Sequence, residues 1–405
     1  MGAVAALAAV ITLAGCAGTL GVTPATRSPA SPASSGSGTA GTATSSGPST
    51  AGTATSSSAT STTAAPSTTS ASATSTRATL SAPTDTATGL DVPWSAVVLP
   101  DATVLVSERD SGQVKKVTPD GRVTIVGPVP GVAPGGEGGL LGLAVDRKTY
   151  ASSPVLYAYL TTRSDNRVVR IPVDAQGRLG APTAILTGIP RAGNHNGGRL
   201  AFGPDGFLYV TTGDAGNSAD AQDRSNLGGK ILRVTTDGKP APGNPFPGSP
   251  VWSYGHRNVQ GIAWDSAGRM WASEFGQNTW DELNVITPGS NYGWPTVEGA
   301  EARSGFIDPV RQWRTDDTSP SGIAVGPDGS VFLAALRGES LWKVPVNADG
   351  STGEPQRLLR GDYGRLRDVL VGPDGNLWIV TNNTSRGTPK PGDDRVVRLP
   401  QSLTG

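Results

Sequence analysis

The feature that most constrains the fold is a strand–turn–strand unit that recurs from about residue 89 onward. Its clearest copies are LAFGPDGFLYVTT at residues 200–212, IAVGPDGSVFLA at 323–334 and VLVGPDGNLWIVT at 369–381. The Pro-Asp-Gly step forms a tight turn because proline presets φ, aspartate bonds back to the backbone and glycine tolerates positive φ. The flanking segments are rich in Val, Leu, Phe, Tyr and Trp, which predicts a succession of antiparallel β-hairpins.

Looser copies at residues 143–160 and 262–273 bring the spacing of the unit to about 45–60 residues, the length of a four-stranded propeller blade with loop insertions. At this period the last ~310 residues predict an all-β, six-bladed β-propeller over residues 90–405. Residues 104–118 and 395–399 are expected to contribute the first and last strands, and to share the blade that closes the ring. The alternative is a large β-sandwich or two smaller β domains.

The N-terminus carries an export signal of a particular kind. An apolar run at residues 3–13, too short to span a bilayer, is followed by Ala14-Gly15-Cys16, and Cys16 is the only cysteine. Two small residues before a cysteine resemble the bacterial lipoprotein processing site. Residues 1–16 are therefore predicted to be a signal peptide that ends at a lipidated Cys16, with the protein exported and anchored to the outer face of the cell membrane. The alternative is an ordinary secretory signal.

Residues 17–89 consist almost entirely of Ala, Ser, Thr, Gly and Pro. Such a segment cannot bury enough apolar surface to offset its chain entropy, which predicts a disordered tether between anchor and propeller. The formal net charge of the chain is zero, and no basic face for a nucleic acid is expected.

His195 is one of only two histidines and lies in the glycine-rich sequence Asn194-His195-Asn196-Gly197-Gly198. Small neighbours let a backbone approach a ligand closely, and imidazole accepts a proton from a hydroxyl near neutral pH. We therefore predict a functional histidine; a structural, hydrogen-bonded histidine is the alternative.

Arginines form a second group of candidates. Arg257 follows Gly255-His256, and its permanent planar cation can stabilise negative charge on a ligand oxygen; a salt bridge between blades is the alternative. Arg365 and Arg367 are two residues apart on an extended segment and therefore point to the same side. Together they predict a dicationic clamp for carboxylates, with a solvated charge run as the alternative.

These motifs, read with Gly276-Gln277, Trp280-Asp281-Glu282 and the segment NYGWP at residues 291–295, resemble the soluble quinoprotein aldose dehydrogenases, also called the glucose/sorbosone dehydrogenase family. The resemblance covers roughly residues 91–399. It implies the cofactors pyrroloquinoline quinone (PQQ) and calcium, and oxidation of the C1 hydroxyl of an aldose to a lactone with hydride transfer to PQQ. Electrons then pass to an external acceptor. The resemblance makes His195 the general base and Arg257 the cation at the reactive quinone oxygens.

The remaining site residues are also implied by the resemblance. PQQ would contact Glu137, Asn258, Trp313, Arg337, Arg365 and Arg367. The carbonyls of Gly276 and Gln277 would hold the calcium that bridges to PQQ, and Glu282 with the carbonyl of Tyr292 would hold a second, structural calcium. The chain departs from the family where Asn194 replaces a frequent aspartate, Val259 a proline, Arg337 a frequent lysine and Glu137 a common glutamine.

Two other functions fit a propeller, because the fold alone does not decide function. One is a non-catalytic surface propeller that binds a glycan or a protein partner. The other is a calcium-dependent lactonase, which ranks lower because that chemistry draws inward carboxylates from several blades, whereas the carboxylates here cluster in one segment.

Overall fold

The computed structural model describes residues 82–404. The predicted signal peptide, Cys16 and most of the predicted tether lie outside the described residues. No helix within residues 82–404 is long and apolar enough to cross a membrane.

Within this range the chain forms six antiparallel four-stranded sheets arranged as a six-bladed propeller, which confirms the predicted fold. The strands of the first half are β1 (Thr84–Ala87), β2 (Pro93–Val98), β3 (Val104–Glu108), β4 (Gln113–Val117), β5 (Val123–Pro128), β6 (Leu140–Ala144), β7 (Val155–Thr161), β8 (Asn166–Pro172), β9 (Thr183–Ile189), β10 (Leu200–Phe202), β11 (Leu208–Thr211), β12 (Lys230–Val234) and β13 (Val251–Tyr254). Those of the second half are β14 (Val259–Trp264), β15 (Met270–Glu274), β16 (Trp280–Ile286), β17 (Arg311–Arg314), β18 (Pro320–Val325), β19 (Val331–Ala335), β20 (Ser340–Val344), β21 (Gln356–Leu358), β22 (Leu366–Val371), β23 (Leu377–Thr381) and β24 (Val396–Arg398). Short helices are a 3-10 turn at Ser218–Ala221, α1 (Asn383–Arg386) and α2 (Gln401–Thr404).

The ring closes by a shared blade, as predicted, but through a different N-terminal strand. The last sheet has the order β1-β24-β23-β22, so Thr84–Ala87 completes the final blade, while residues 104–118 provide the second and third strands of the first blade. The predicted tether of residues 17–89 therefore reaches too far toward the propeller. The strand escaped prediction because its sequence, TDTA, is polar; backbone pairing with β24 and an ion pair of Asp85 with Arg395 at 2.9 Å hold it.

The Gly-Pro-Asp-Gly segments form the expected turns. In the copy between β10 and β11, the Gly203 N–H donates to the Phe207 carbonyl at 2.9 Å, and Asp205 Oδ1 accepts from the Phe207 N–H at 3.1 Å. Gly206 has φ +81°, a conformation that favours glycine. The turn therefore sets the register in which Leu200 pairs with Val210.

The apolar core lies between neighbouring blades rather than in one centre. One cluster combines Tyr159 of the second blade with Leu208 and Leu232 of the third. Burying such a side chain contributes roughly 1.5–3 kcal/mol, so each blade is stabilised mainly by the next one. The strands β2, β6, β10, β14, β18 and β22 pack against each other around the axis, and the loops that precede them meet at one mouth of the ring.

Candidate active site

A cavity of about 310 Å³ opens at this mouth. Eight of the predicted site residues line it, namely Glu137, His195, Arg257, Gly276, Gln277, Arg337, Arg365 and Arg367. Seven of them lie in loops and Arg367 lies on β22, so the ring brings together residues that are up to 230 positions apart, from 137 to 367.

The side chain of His195 is held in one orientation. Its Nδ1 lies 2.7 Å from Asp214 Oδ1, and its Nε2 lies 3.2 Å from the side-chain nitrogen of Asn194. A carboxylate only accepts, so Nδ1 carries the proton and Nε2 presents its lone pair, which accepts from the Asn194 amide. The geometry therefore makes Nε2 the basic atom of the ring.

Asp214 was not singled out from the sequence, although it lies in a glycine-rich loop directly after β11, as His195 lies directly before β10. Its carboxylate also accepts from the Trp294 indole N–H at 2.8 Å and the Gly216 N–H at 2.8 Å. Burial acts to raise the pKa of Asp214, but the hydrogen bonds from His195, Gly216 and Trp294 outweigh it, and the pKa lies below its ordinary value. The Asp214 carboxylate, from the next loop, therefore orients the ring. The preceding residue, Asn194, has no carboxylate that could do so.

Glu137 supports the His195 loop from the cavity wall. Its Oε2 accepts the His195 N–H at 3.0 Å, its own N–H donates to the Gly193 carbonyl at 2.8 Å, and Oε1 lies 3.5 Å from Arg386 Nη1. His195 has φ +51°, so these bonds hold the residue in a conformation that costs a non-glycine residue free energy. Contact of Glu137 with a cofactor remains a prediction.

Arg257 lies in the cavity wall next to the Asp214 loop, and its carbonyl accepts the Asp214 N–H at 2.9 Å. Its Nη1 donates to the carbonyls of Gly276 at 2.7 Å and Phe275 at 3.3 Å, and its backbone N–H donates to the Glu274 carboxylate. The guanidinium carbon lies 5.5 Å from the centre of the Trp294 ring. Burial lowers the pKa of Arg257, against the opposing charge of Asp214, yet a guanidinium stays protonated. Trp294 therefore contacts both the predicted catalytic cation, Arg257, and the carboxylate that orients His195.

Arg365 and Arg367 line the same cavity, as their spacing predicted. Among residues 82–404, the guanidinium of Arg365 has no hydrogen bond or ion pair, and its Nε is buried without a partner. Arg367 donates only to neutral oxygens, Gln260 Oε1 at 2.8 Å and Ser321 Oγ at 3.3 Å from Nη1, and Asn382 Oδ1 at 3.4 Å from Nη2. Burial, with the positive charges of Arg109 and Arg365, lowers the pKa of Arg367 well below its ordinary value. This side of the cavity concentrates positive charge, and neither guanidinium forms an ion pair within the described residues.

The charge of the lining as a whole is strongly positive. Six arginines stand against two carboxylates, those of Glu137 and Asp281. Burial raises the pKa of Asp281 to about 6, although backbone N–H groups of Gly276 and Ser319 oppose the shift. Arg337 lies at the rim, with a side chain 60% exposed that pairs with Asp316 at 2.6 Å. Arg386 is also exposed, and buried Arg109 already pairs with Asp110 at 2.6 Å. The deep guanidinium groups that have no carboxylate partner within residues 82–404 are therefore those of Arg257, Arg365 and Arg367.

The structure corrects the prediction for Trp313. This residue lies on β17, the outermost strand of its blade, and packs in the core against Trp271 and Trp342. Trp94 does line the cavity, and the guanidinium carbon of Arg199 lies 4.5 Å from the centre of its ring. Its position in the sequence could have indicated this, because Trp94 is the second residue of an innermost strand, as the cavity residues Gln260 and Arg367 are.

Asn258 is fully buried behind the wall rather than on the lining of the cavity. Its Oδ1 accepts the Gly197 N–H at 3.0 Å, which fixes the loop that carries His195, and its Nδ2 has no partner within the described residues. A contact between Asn258 and a cofactor therefore remains a prediction.

Glu282 and Tyr292 also lie outside the 310 Å³ cavity. Glu282 accepts from the Gly299 N–H at 2.8 Å and the Asn284 amide at 3.0 Å, and burial together with Glu274 raises its pKa. The Tyr292 ring stacks on His256 at 4.7 Å. Within residues 82–404 no three His, Cys, Asp or Glu side chains form a cluster able to hold a metal ion, so calcium at this position remains a prediction.

Comparisons with known proteins agree with this geometry. The family described as Glucose / Sorbosone dehydrogenase matches residues 90–388. Aldose sugar dehydrogenase YliI of Escherichia coli is 30% identical over 334 residues, which cover 73% of this chain and 88% of that protein. The PQQ-bound aldose sugar dehydrogenase of Streptomyces coelicolor is 54% identical with a TM-score of 0.75, over 80% of this chain and 99% of that one. A putative glucose dehydrogenase of Thermus thermophilus is 41% identical with a TM-score of 0.73, over 78% and 99%.

The family match covers β2 to β23 and includes every residue that lines the cavity. The chain therefore belongs to the glucose/sorbosone dehydrogenase family of oxidoreductases.

Proposed function

We propose that this protein is a PQQ-dependent aldose dehydrogenase that oxidises the C1 hydroxyl of an aldose to a lactone. The observation that carries the proposal is the pairing, in one cavity, of an oriented imidazole with a deep cationic cluster whose Arg365 has no partner among the described residues. Membership of the family and the similarity to a PQQ-bound structure support it.

The donor set fits the cofactor. PQQ is a planar molecule with three carboxylates, and arginine binds carboxylates with two parallel charge-assisted hydrogen bonds. Arg365 and Arg367 would hold the carboxylates, Arg337 would add a cation at the rim, and Trp94 offers an aromatic surface. When bound, the cofactor supplies a quinone that accepts hydride.

The protein residues then divide the remaining chemistry. His195 Nε2 accepts the proton of the substrate C1 hydroxyl, after the Asn194 amide has released that lone pair. Asp214 stabilises the imidazolium that results, because its carboxylate already accepts the Nδ1 proton at 2.7 Å. Arg257 donates to an oxygen on which negative charge develops, and its burial strengthens that interaction.

Calcium is part of the proposal. The carbonyls of Gly276 and Gln277 would hold one ion at the cavity, where it would act as a Lewis acid, and Glu282 with the Tyr292 carbonyl would hold a second. The Gly276 carbonyl already accepts from Arg257, so an ion there would share this oxygen through its second lone pair. Equilibrium dialysis against calcium, with and without PQQ, measures the number of ions bound.

Export, lipidation of Cys16 and an external electron acceptor complete the proposal. They rest on the sequence Ala14-Gly15-Cys16 after an apolar run and on the Ser/Thr-rich segment that follows. Labelling cells with a radioactive fatty acid tests this part: wild-type protein is expected to take up label and sediment with membranes, whereas Cys16→Ser protein is not. Equal labelling of both would refute the anchor.

The test of the enzymatic proposal is a titration of the purified protein with PQQ in the presence of calcium, followed by tryptophan fluorescence, since Trp94 lines the cavity. Reduction of a dye is then measured with a panel of aldoses. Saturable quenching with aldose-dependent turnover is expected. Absence of PQQ binding with calcium present would refute the proposal and favour a surface propeller that binds a glycan or protein.

A further inference from the structure

The loop between β15 and β16 is folded around one carboxylate oxygen. Glu298 Oε1 accepts the backbone N–H groups of Gln277 at 2.7 Å, Asn278 at 2.9 Å, Thr279 at 3.0 Å and Trp280 at 3.2 Å. Four consecutive N–H groups converging on one oxygen form a concave anion site, of the kind that backbone nests provide. The four amides are therefore directed to one side of the loop by a single side chain.

The backbone N–H of Gly276, which precedes these four, is also bound by a carboxylate. The Gly276 N–H donates to Asp281 Oδ1 at 2.9 Å, and the other oxygen of Asp281 accepts the Ser319 N–H at 2.6 Å. A Cβ atom at Gly276 would lie 1.8 Å from the Trp280 carbonyl, so only glycine fits this closely wound loop. All N–H groups from residue 276 to residue 280 are thus bound by two carboxylates.

Because peptide units are planar, the direction of these N–H groups also fixes the direction of the carbonyls that precede them. In a trans peptide unit the C=O of one residue points opposite to the N–H of the next. Since the N–H groups of Gln277 and Asn278 face Glu298, the carbonyls of Gly276 and Gln277 face away from it. The Gly276 carbonyl accordingly accepts from Arg257 Nη1 at 2.7 Å, and both residues line the cavity.

We propose that Glu298 is a positioning residue of the cofactor site, which turns the Gly276 and Gln277 carbonyls toward the cavity and thereby holds the guanidinium of Arg257 in place. This role rests on the proposed function, because it acts on the residues that would bind PQQ and calcium.

The experiment compares the full-length wild-type protein with Glu298→Ala and Glu298→Gln. The alanine variant removes the acceptor, whereas glutamine keeps one oxygen without the charge and so guards against a variant that merely fails to fold. Glu301→Gln is the matched control, because Glu301 is an exposed glutamate that lies, like Glu298, in the connection between β16 and β17. Thermal unfolding confirms that each variant is folded.

Two quantities are measured, hydrogen exchange of the amides of residues 277–280 without cofactor, and the Kd for PQQ at saturating calcium. In Glu298→Ala we expect exchange at least tenfold faster and a Kd at least tenfold higher, with smaller changes in Glu298→Gln and none in the control. Faster exchange with an unchanged Kd would reduce Glu298 to a structural residue and overturn the proposal. Unchanged exchange would overturn it as well, because the carboxylate would not hold the loop.

The two proposals fail in different ways. If the wild-type protein binds PQQ and the Glu298 variants bind it equally well, only the positioning role is refuted. If the wild-type protein does not bind PQQ, the proposed function is refuted, and the positioning role with it.

Discussion

Two sides of one cavity differ in how their polar groups are used. On the side of His195, the imidazole is bonded at both nitrogens and its carboxylate, Asp214, accepts three N–H groups. On the side of Arg365 and Arg367, positive charges lie close together, and the guanidinium of Arg365 has no hydrogen bond or ion pair within the described residues.

The difference reflects what each side needs before a ligand arrives. Under the proposed function, proton transfer requires a ring of fixed tautomer and direction, so its hydrogen bonds are made before a ligand binds. An anion-binding side gains most when its donors are unused until the anion supplies the acceptors, even though the unpaired charges destabilise the empty protein. We call the first the base side and the second the clamp side.

The largest effect is expected when the imidazole of the base side is removed. His195→Ala is expected to lower kcat by about 10³-fold, within the range of a lost general base, while the Kd for PQQ changes less than about threefold. Added imidazole should restore part of the activity. Turnover of the variant at the wild-type rate would show that the base lies elsewhere.

A smaller effect is expected when only the orientation of the ring is disturbed. Asp214→Asn leaves one acceptor oxygen for three N–H donors, so His195 loses its fixed tautomer, and kcat is expected to fall by about 10²-fold with little change in PQQ affinity. Asp223→Asn is the control, because Asp223 caps an exposed turn at Ser225. Equal loss in both variants would point to general destabilisation.

The clamp side is expected to respond in the opposite pattern. Arg365→Met should raise the Kd for PQQ by roughly 10–100-fold, the value of a lost charge-assisted pair, yet leave the Tm of the cofactor-free protein unchanged or higher, because a like-charge contact is removed. Arg360→Met, at an exposed arginine nearby, should alter neither quantity. A lower Tm without cofactor would contradict the distinction between the two sides.

The smallest expected effect concerns stability in acid. The pKa of Asp214 in the folded protein lies below its ordinary value of 3.8, so this group stabilises the fold above pH 3.8, and the contribution is lost as the pH falls through the folded value. Urea unfolding of wild type and Asp214→Asn between pH 2 and pH 6 measures it. The difference in free energy of unfolding between wild type and Asp214→Asn should be constant above about pH 4 and shrink below it. A difference that grows in acid would contradict a lowered pKa of Asp214.

The fold was predictable because its signal is local and repeated. Each Gly-Pro-Asp-Gly turn is specified by its own residues, and the spacing of the copies gives the number of blades. The exception, β1, carries no apolar pattern and is held by pairing with β24, by Arg395 and by the burial of Ala87. A strand of this kind is visible only once its partner, about 310 positions away, is known.

The site was predictable where chemistry limits the residue types. His195, Arg257, Arg365 and Arg367 stand out by charge, spacing and glycine-rich surroundings, and they meet in one cavity. Trp313 was wrongly chosen because a tryptophan in a blade can face either the channel or the next blade. Only its position on an outermost strand decides this.

The sequence by itself determined the all-β propeller, the number of its blades and the residue types of the proposed base and the proposed clamp, because turns and strand alternation are local. The tertiary structure alone decided which carboxylate orients His195, that Trp94 rather than Trp313 lines the cavity and which way the carbonyls of Gly276 and Gln277 face. Those features depend on contacts between different blades and loops, such as Asp214 with His195 or Glu298 with residues 277–280, whose partners are separated along the chain by loops of variable length.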